Sequence, residues 1–405
     1  MTTTTAAPTR WNPPDPTQLP ELRSVLLDHY RNEVAALSMR EALRAGRGVI
    51  IPEVPGMDAS PDAVAAQILV ASEHHRLADA HLYYATPDMT ALTLAAAGTP
   101  PREKVSLDRP PAESGLLVFG EPIGGYVEDV GAALASTAAA RPGVDAKVTT
   151  LIVAVSWSRW TPDAVKLDQG DVRWFWKRPG RGVTSIPRAY RGLWLTFYSP
   201  AGLLSGLAPD TVIGTMPDGS AMTAGRIDAE RSRTAAPLNW DNETLLAEGV
   251  GFTEARPDTT DAWTHAVYTA WQLMADQGRT QWTETEEIPR TRAGAKRDAR
   301  QGVTGSSTVH VVNVHTSRRP PRQRAAEDAA ASTGRREPQW SCRWPVRPHR
   351  RDHCMHPARH AEGDCRHKDR LIPGYIKGPE GKPLRTSDTV HLWDHQPDQA
   401  QTDRT

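Results

Sequence analysis

Charge is divided along this chain so unevenly that one folding solution cannot serve all of it. Residues 288–370 carry 19 Lys and Arg against 8 Asp and Glu, whereas residues 1–287 carry 25 against 35. The last stretch, 371–405, holds 4 against 5, so the formal net charge of the 405-residue chain is zero. That zero excludes a uniformly basic nucleic-acid coat and a highly acidic tail protein. It leaves an acidic body joined to a basic segment, which faces a polyanion, docks on its own body, or stays solvated. The apolar content supports a core for about two domains.

Hydrophobic periodicity places that core in the acidic part. Leu22, Val25, Leu26, His29, Tyr30, Val34, Leu37 and Leu43 predict one helix over 18–45, capped by Gly46. Val49-Ile50-Ile51 reads as a short strand stopped by Pro52 and Pro55. Ser60-Pro61-Asp62 and Thr86-Pro87-Asp88 each open a helix, with a hydroxyl N-cap, a first-turn proline and an acid near the positive end of the dipole. Strands are predicted at 116–119, over 147–157 as one central strand, at 192–198, and at 308–315, where the last completes the sheet. Pro217-Asp218-Gly219 reads as a turn. Residues 260–276 form an amphipathic helix whose stripe of Trp263, Val267, Ala270, Trp271 and Met274 suits a core rather than a base-stacking platform. Residues 278–302 are polar and basic. The expectation is therefore an α/β (α+β) domain over 17–316. A disordered 1–16 precedes it; a linker (317–334), a basic Cys/His module (335–396) and a tail (397–405) follow.

All three cysteines, Cys342, Cys354 and Cys365, fall in that module, beside His349, His353, His356, His360 and His367. Thiolate and imidazole suit Zn²⁺, and four of them close a tetrahedral site. A segment with few large aliphatics gains from a metal the stabilisation that its core lacks. The best ligand set is Cys342, Cys354, Cys365 and His367, with His360 and His356 as substitutes. Unrelated free thiols in a basic loop are the competing reading, since no C-x2-C knuckle occurs. The same stretch interleaves cations with aromatic rings. Arg343, Trp344, Arg347, His349, Arg350, Arg351, Arg370 and Lys377 are the candidate nucleic-acid contacts, as Arg forks suit phosphates and Trp can stack on a base.

The C-terminal residues also resemble a group of largely uncharacterised proteins of actinobacteria, their phages and plasmids. The resemblance rests on Trp344, Val346, Arg347, His349, Arg350, Arg351, Arg370-Leu371-Ile372, Tyr375-Ile376-Lys377-Gly378-Pro379, Pro383-Leu384, Val390 and Trp393. More faintly, the segment is similar to a mobile-element family that includes a type V-A anti-CRISPR protein. That resemblance implies a mobile-element or host-defence setting.

Enzymatic motifs are few. Glu73-His74-His75 lacks H-E-x-x-H order and reads as a helix surface, Gly120–Gly125 is only loosely like a phosphate loop, and neither a P-loop nor a G-x-S-x-G elbow occurs. Asp163, Asp168 and Asp171 suit Mg²⁺ for nuclease chemistry no better than loop solvation. The expected function is a non-enzymatic regulator whose zinc-stabilised module binds nucleic acid, RNA rather than duplex DNA because no recognition helix is evident. The alternatives are a module for an acidic or nascent peptide and a metal-dependent nuclease. No apolar run is long enough for a membrane span, the first residues lack a secretory apolar core, and the sparse cysteines argue against a disulfide framework, so the expected location is cytoplasmic.

Overall fold

The computed structural model describes residues 11–44, 48–129, 147–165, 171–178, 182–200, 208–215, 219–226, 229, 237–275, 283–314, 341–346, 349–354, 367–372 and 375–377. Six helices are named here: α1 (Leu19–Tyr30), α2 (Glu33–Arg44), α3 (Pro61–Asp79), α4 (Pro87–Ala97), α5 (Thr260–Ala275) and α6 (Arg292–Arg300). The strands of the body are β1 (Ile50–Glu53), β2 (His81–Ala85), β3 (Ser114–Phe119), β4 (Gly124–Asp129), β5 (Lys147–Ile152), β6 (Ala154–Trp160), β7 (Arg173–Arg178), β8 (Gly182–Ser185), β9 (Gly192–Pro200), β10 (Val212–Thr215), β11 (Ala221–Thr223), β12 (Leu238–Ala247), β13 (Thr283–Ile288) and β14 (Val309–Val314). Four short strands follow in the basic segment: β15 (Trp344–Val346), β16 (His349–Cys354), β17 (His367–Ile372) and β18 (Tyr375–Lys377).

Seven strands form one mixed sheet in the order β12-β9-β6-β3-β2-β14-β13. The central trio β3, β2 and β14 is parallel, and its flanks are antiparallel. Helices cover both faces, which explains why β3 reads as an unbroken apolar run rather than an alternation. Leu116 and Val118 join a core with Leu26, Leu69, Leu77 and Trp194 under α1–α3. Leu117 and Phe119 join the opposite core with Met89, Trp157, Trp263 and Trp271 under α4 and α5. The mixed helix–strand class expected from the sequence is what the body adopts. The α5 stripe is core: Trp263, Val267, Ala270 and Trp271 are buried.

Several local expectations are corrected. The helix expected over 18–45 breaks at Arg31-Asn32. The exposed Asn32 accepts the Val34 N–H on Oδ1 at 3.1 Å, and its carbonyl accepts from Ala35 at 3.0 Å, so it starts α2 instead of continuing α1. Of the apolar positions read as one helix face, Val25 on α1 and Val34 and Leu37 beyond the break are exposed. The strand expected over 147–157 is two. Val153 donates to the Tyr198 carbonyl and accepts from Phe119, so β6 stays in the central sheet while β5 leaves to pair with β4. Pro52 does not stop β1, because this strand pairs on one side only, with β7, where a missing N–H is tolerated. Trp11, within the stretch read as disordered, donates its indole N–H to the Phe119 carbonyl at 2.9 Å.

Within the polar stretch 278–302, residues 283–302 are structured, giving β13 and α6. Asp298 of α6 is buried and accepts from Arg290, and it lies 3.8 Å from the buried Arg23 guanidinium. Arg23 in turn donates to the carbonyls of Ala80 and Ser306 and to Ser307. The buried Arg23 charge thus ties α1 to the entry of β2 and to α6. The expected cap Gly46, the Pro217-Asp218 turn residues, the linker and the strand near Val390 lie outside the described residues. No helix among the described residues is long and apolar enough to cross a membrane.

Candidate nucleic-acid interface

The four strands β15–β18 carry the basic segment's described backbone, and their register is informative. β15 pairs with β18 and β16 with β17, both antiparallel. Trp344 lies opposite Lys377, Val346 opposite Tyr375, His349 opposite Ile372 and Cys354 opposite His367. The paired residue numbers have the same sum in both ladders, so the two share one register, with β15 and β18 flanking the β16–β17 hairpin in sequence. The outer ladder, at the base in sequence, adjoins α4, which contacts both β15 and β18.

Alternation then sorts the β16–β17 residues into two faces. One carries His349, Arg351 and His353 with Ile372, Arg370 and Lys368; the other carries Arg350, Asp352 and Cys354 with Leu371, Asp369 and His367. The first face is cationic. Arg351 stands directly opposite Arg370, and His353 opposite Lys368. Like charges in direct cross-strand register are destabilising unless an anion lies over them.

The candidate contacts expected from the sequence are therefore only partly brought together. His349, Arg351 and Arg370 share the cationic face. Arg350 falls on the other face, and Trp344 and Lys377 form a cross-strand pair near the base. Arg343 is engaged elsewhere: its guanidinium grips both carboxylate oxygens of Asp88 on α4, at 2.6 and 3.2 Å. Arg347 lies outside the described residues. Lys368, part of the cationic run seen in the sequence, joins the face, and so does His353, which sequence reading placed only in the Cys/His cluster; the missing signal was the pairing partner of each strand.

The expected zinc ligands are distributed in the same way. Cys354 and His367 are a cross-strand pair at the far end of β16–β17. Cys342, half-buried with a free thiol, precedes β15 at the base, next to the Arg343–Asp88 pair. The register thus brings Cys354 beside His367 in the β16–β17 ladder, whereas Cys342 lies before β15 and outside that ladder. Cys365, His356 and His360 lie outside the described residues.

The acidic body holds a second polar cluster, missed by sequence reading. Glu73, expected on a helix surface, is buried, whereas His75 beside it is exposed. Glu73 accepts from Arg76, Tyr198, Ser156 at 2.8 Å and Thr196 at 2.9 Å. The Arg76 guanidinium lies 4.2 Å from the ring centroid of Trp194. Glu243, also buried, accepts the Ile50 N–H at 3.2 Å, and burial pushes its carboxyl up to about 7 against the pull of Arg76. Burial and the neighbouring Glu73 likewise push the Tyr30 and Tyr198 phenols up. These groups are sealed under α3 and act as an internal scaffold.

Other motifs are structural. A Cβ on Gly120 would lie 2.6 Å from the Pro87 ring, so that glycine serves the close approach of β3 to α4 rather than a phosphate. Asp171 pairs with Arg188, Asp163 is exposed, and Asp168 lies outside the described residues. Among the described side chains no three His, Cys, Asp or Glu are grouped to hold a metal ion. No family model, curated protein or solved structure matches the chain.

Proposed function

We propose that this chain is a non-enzymatic binding protein whose C-terminal hairpin engages single-stranded RNA through His349, Arg351, His353, Lys368 and Arg370. The observation that supports this reading is the direct opposition of Arg351 and Arg370 on a face that holds no carboxylate. A phosphate backbone relieves that opposition, and imidazoles interleaved with guanidinium groups suit the stacking of unpaired bases. The resemblance to proteins of actinobacterial mobile elements fits a regulator in a mobile-element or host-defence conflict, acting in the cytoplasm. Binding of labelled single-stranded RNA by the full chain, measured across salt concentrations, tests the proposal. Three phosphate contacts give a log–log salt slope of about −2. Replacing Arg351, Lys368 and Arg370 together with Gln should abolish most of that slope and lower affinity at least tenfold. Absence of binding at low salt, or tighter binding to duplex DNA than to RNA, would overturn the reading.

One observation favours a second reading, an acidic or nascent peptide as partner. Arg343, from the same basic segment, already grips a carboxylate in bidentate fashion. Partners captured by the full chain that survive nuclease digestion, and are lost when Arg351 and Arg370 are neutralised, would support the peptide over RNA.

A further inference from the structure

The basic segment begins on the body, ahead of the hairpin, and its first helix is α6. Every exposed ionisable side chain on that helix is a cation: Arg292, Lys296, Arg297 and Arg300. Its one acid, Asp298, is buried and accepts from Arg290. Gly294 and Asp298 are the buried positions. At roughly 100° of turn per residue, Lys296 lies on the opposite side of the helix, with Arg292 and Arg300 one turn away in either direction. A Cβ on Gly294 would collide with the Arg290 side chain, so this glycine lets Arg290 cross to Asp298 and fixes which face looks outward.

That outer row carries a cost. Arg292 with Lys296, and Lys296 with Arg300, are like charges at i,i+4, which weakens a helix. Arg292 also stands in the first turn, where the helix dipole is already positive. Among the described residues none of these three cations has an ion pair. The acids of the adjoining α1 are engaged: Glu21 accepts from Arg290 at 2.7 and 2.9 Å and lies 3.5 Å from Arg297, and Asp28 accepts from Gln301 at 3.3 Å.

We infer that the outer face of α6 is a second docking surface for the RNA strand, holding its phosphates through Arg292, Lys296 and Arg300. The inference takes the class of partner from the proposed function but uses none of the hairpin residues. From Arg292 to Arg300 the helix rises about 12 Å, a length over which a nucleic-acid strand presents several phosphates. The other exposed residues of α6 besides its cations are Ala293, Ala295 and Ala299. The helix therefore lacks the large anchors of a protein hot spot and the apolar face of a membrane-surface helix. With no ring to stack on a base, it adds charge without sequence preference. Thr304 and Gly305, just past α6, donate to the Ala78 carbonyl before β2 begins, whereas Arg343 reaches Asp88 just after β2 ends. The two basic surfaces are thus anchored toward opposite ends of β2, and a long strand reaches both.

Titrating the full chain across salt with single-stranded RNAs of about 6 and about 40 nucleotides tests this. The short strand reads the hairpin, whose stacking groups retain it. The long strand should show a log–log salt slope steeper by about 2, from three further contacts. Arg292→Gln, Lys296→Gln and Arg300→Gln together should return the long strand to the short-strand slope and weaken its binding at least tenfold, with short-strand binding unchanged. Arg292→Lys with Arg300→Lys should keep the steeper slope. Because the triple change removes two like-charge pairs, that variant should resist urea at least as well as wild type. Equal slopes for the two strands in wild type, a long-strand slope untouched by the triple change, or a triple variant less stable than wild type would overturn the inference. Capture of polyglutamate in place of the long RNA, lost in the triple variant, would assign α6 to an acidic protein and overturn it too. Long-strand binding that needs α6 while short-strand binding is absent would instead overturn the hairpin reading and leave α6 standing; no binding of either RNA overturns both.

Discussion

Glu243 shows what a single side chain does when the fold encloses it. An exposed carboxyl would be ionised well below neutrality, but burial holds this one up to about 7, with Glu73 reinforcing the shift and Arg76 and the Ile50 amide opposing it. The folded state therefore keeps a proton that the unfolded state has already released. The sign follows from linkage: the proton stabilises the fold at acid pH, and the contribution is lost as pH rises from about 4.5 to 7. At roughly 1.4 kcal/mol per unit, the loss is on the order of 3 kcal/mol. Burial lowers the affinity of His29, His74, His81 and His265 for protons, which works in the opposite direction as pH falls through the imidazole range. The useful quantity is therefore the difference between wild type and Glu243→Gln in urea unfolding. That difference should favour the variant more at pH 8 than at pH 5, by a few kcal/mol; a difference independent of pH would contradict the assignment. Nothing in the heptapeptide around Glu73 or Glu243 signals burial. Apart from Arg76, the hydrogen-bond partners of Glu73 are 83 to 125 residues away in the chain, and the Ile50 amide that Glu243 accepts from is 193 residues away.

Among elements, those whose signals are local were legible. Thr86-Pro87-Asp88 opens α4 as expected, with the Thr86 hydroxyl accepting from Met89, and α5 buries Trp263, Val267, Ala270 and Trp271 of its expected stripe while Met274 is half-buried. Elements failed where a competing bond decides. Asn32 interrupts a periodicity that runs unbroken through the sequence, because its side chain offers the backbone another partner. Asn32→Ala should cost about 1 kcal/mol of stability in chemical denaturation, whereas Asn32→Asp, which keeps the acceptor, should cost little. Equal losses would show that the side-chain bond does not start α2. The hairpin is a different failure. Its residue types were all visible, but one-dimensional clustering merges two faces that strand pairing separates: Arg350 and Arg351 are adjacent in sequence and opposite in the ladder.

For the molecule as a whole, the charge division seen in the sequence becomes a division of labour. The acidic body encloses its own ions in Glu73–Arg76 and Arg23–Asp298, while the basic segment sets its charges on a hairpin. The two are joined at Arg343–Asp88, at the first turn of α4, where an acid is also favoured by the helix dipole. A double-mutant cycle over Arg343→Ala and Asp88→Ala should return a coupling of about 0.5–1 kcal/mol in equilibrium unfolding; zero coupling would detach the base of the hairpin from the body. The mixed α/β class could be read from composition and periodicity, because buried strands and amphipathic helices leave local marks. Sheet order, with β14 between β2 and β13, could not, because it depends on pairings across more than 200 residues. The most direct test of the whole account compares two neighbouring arginines. Arg351→Gln and Arg350→Gln remove the same charge one residue apart, so nonspecific electrostatics treats them alike. With alternating faces, Arg351→Gln should weaken RNA binding several-fold and make the log–log salt slope shallower by about 0.7, while Arg350→Gln leaves both near wild type. Equal losses from the two substitutions would contradict the two-faced hairpin.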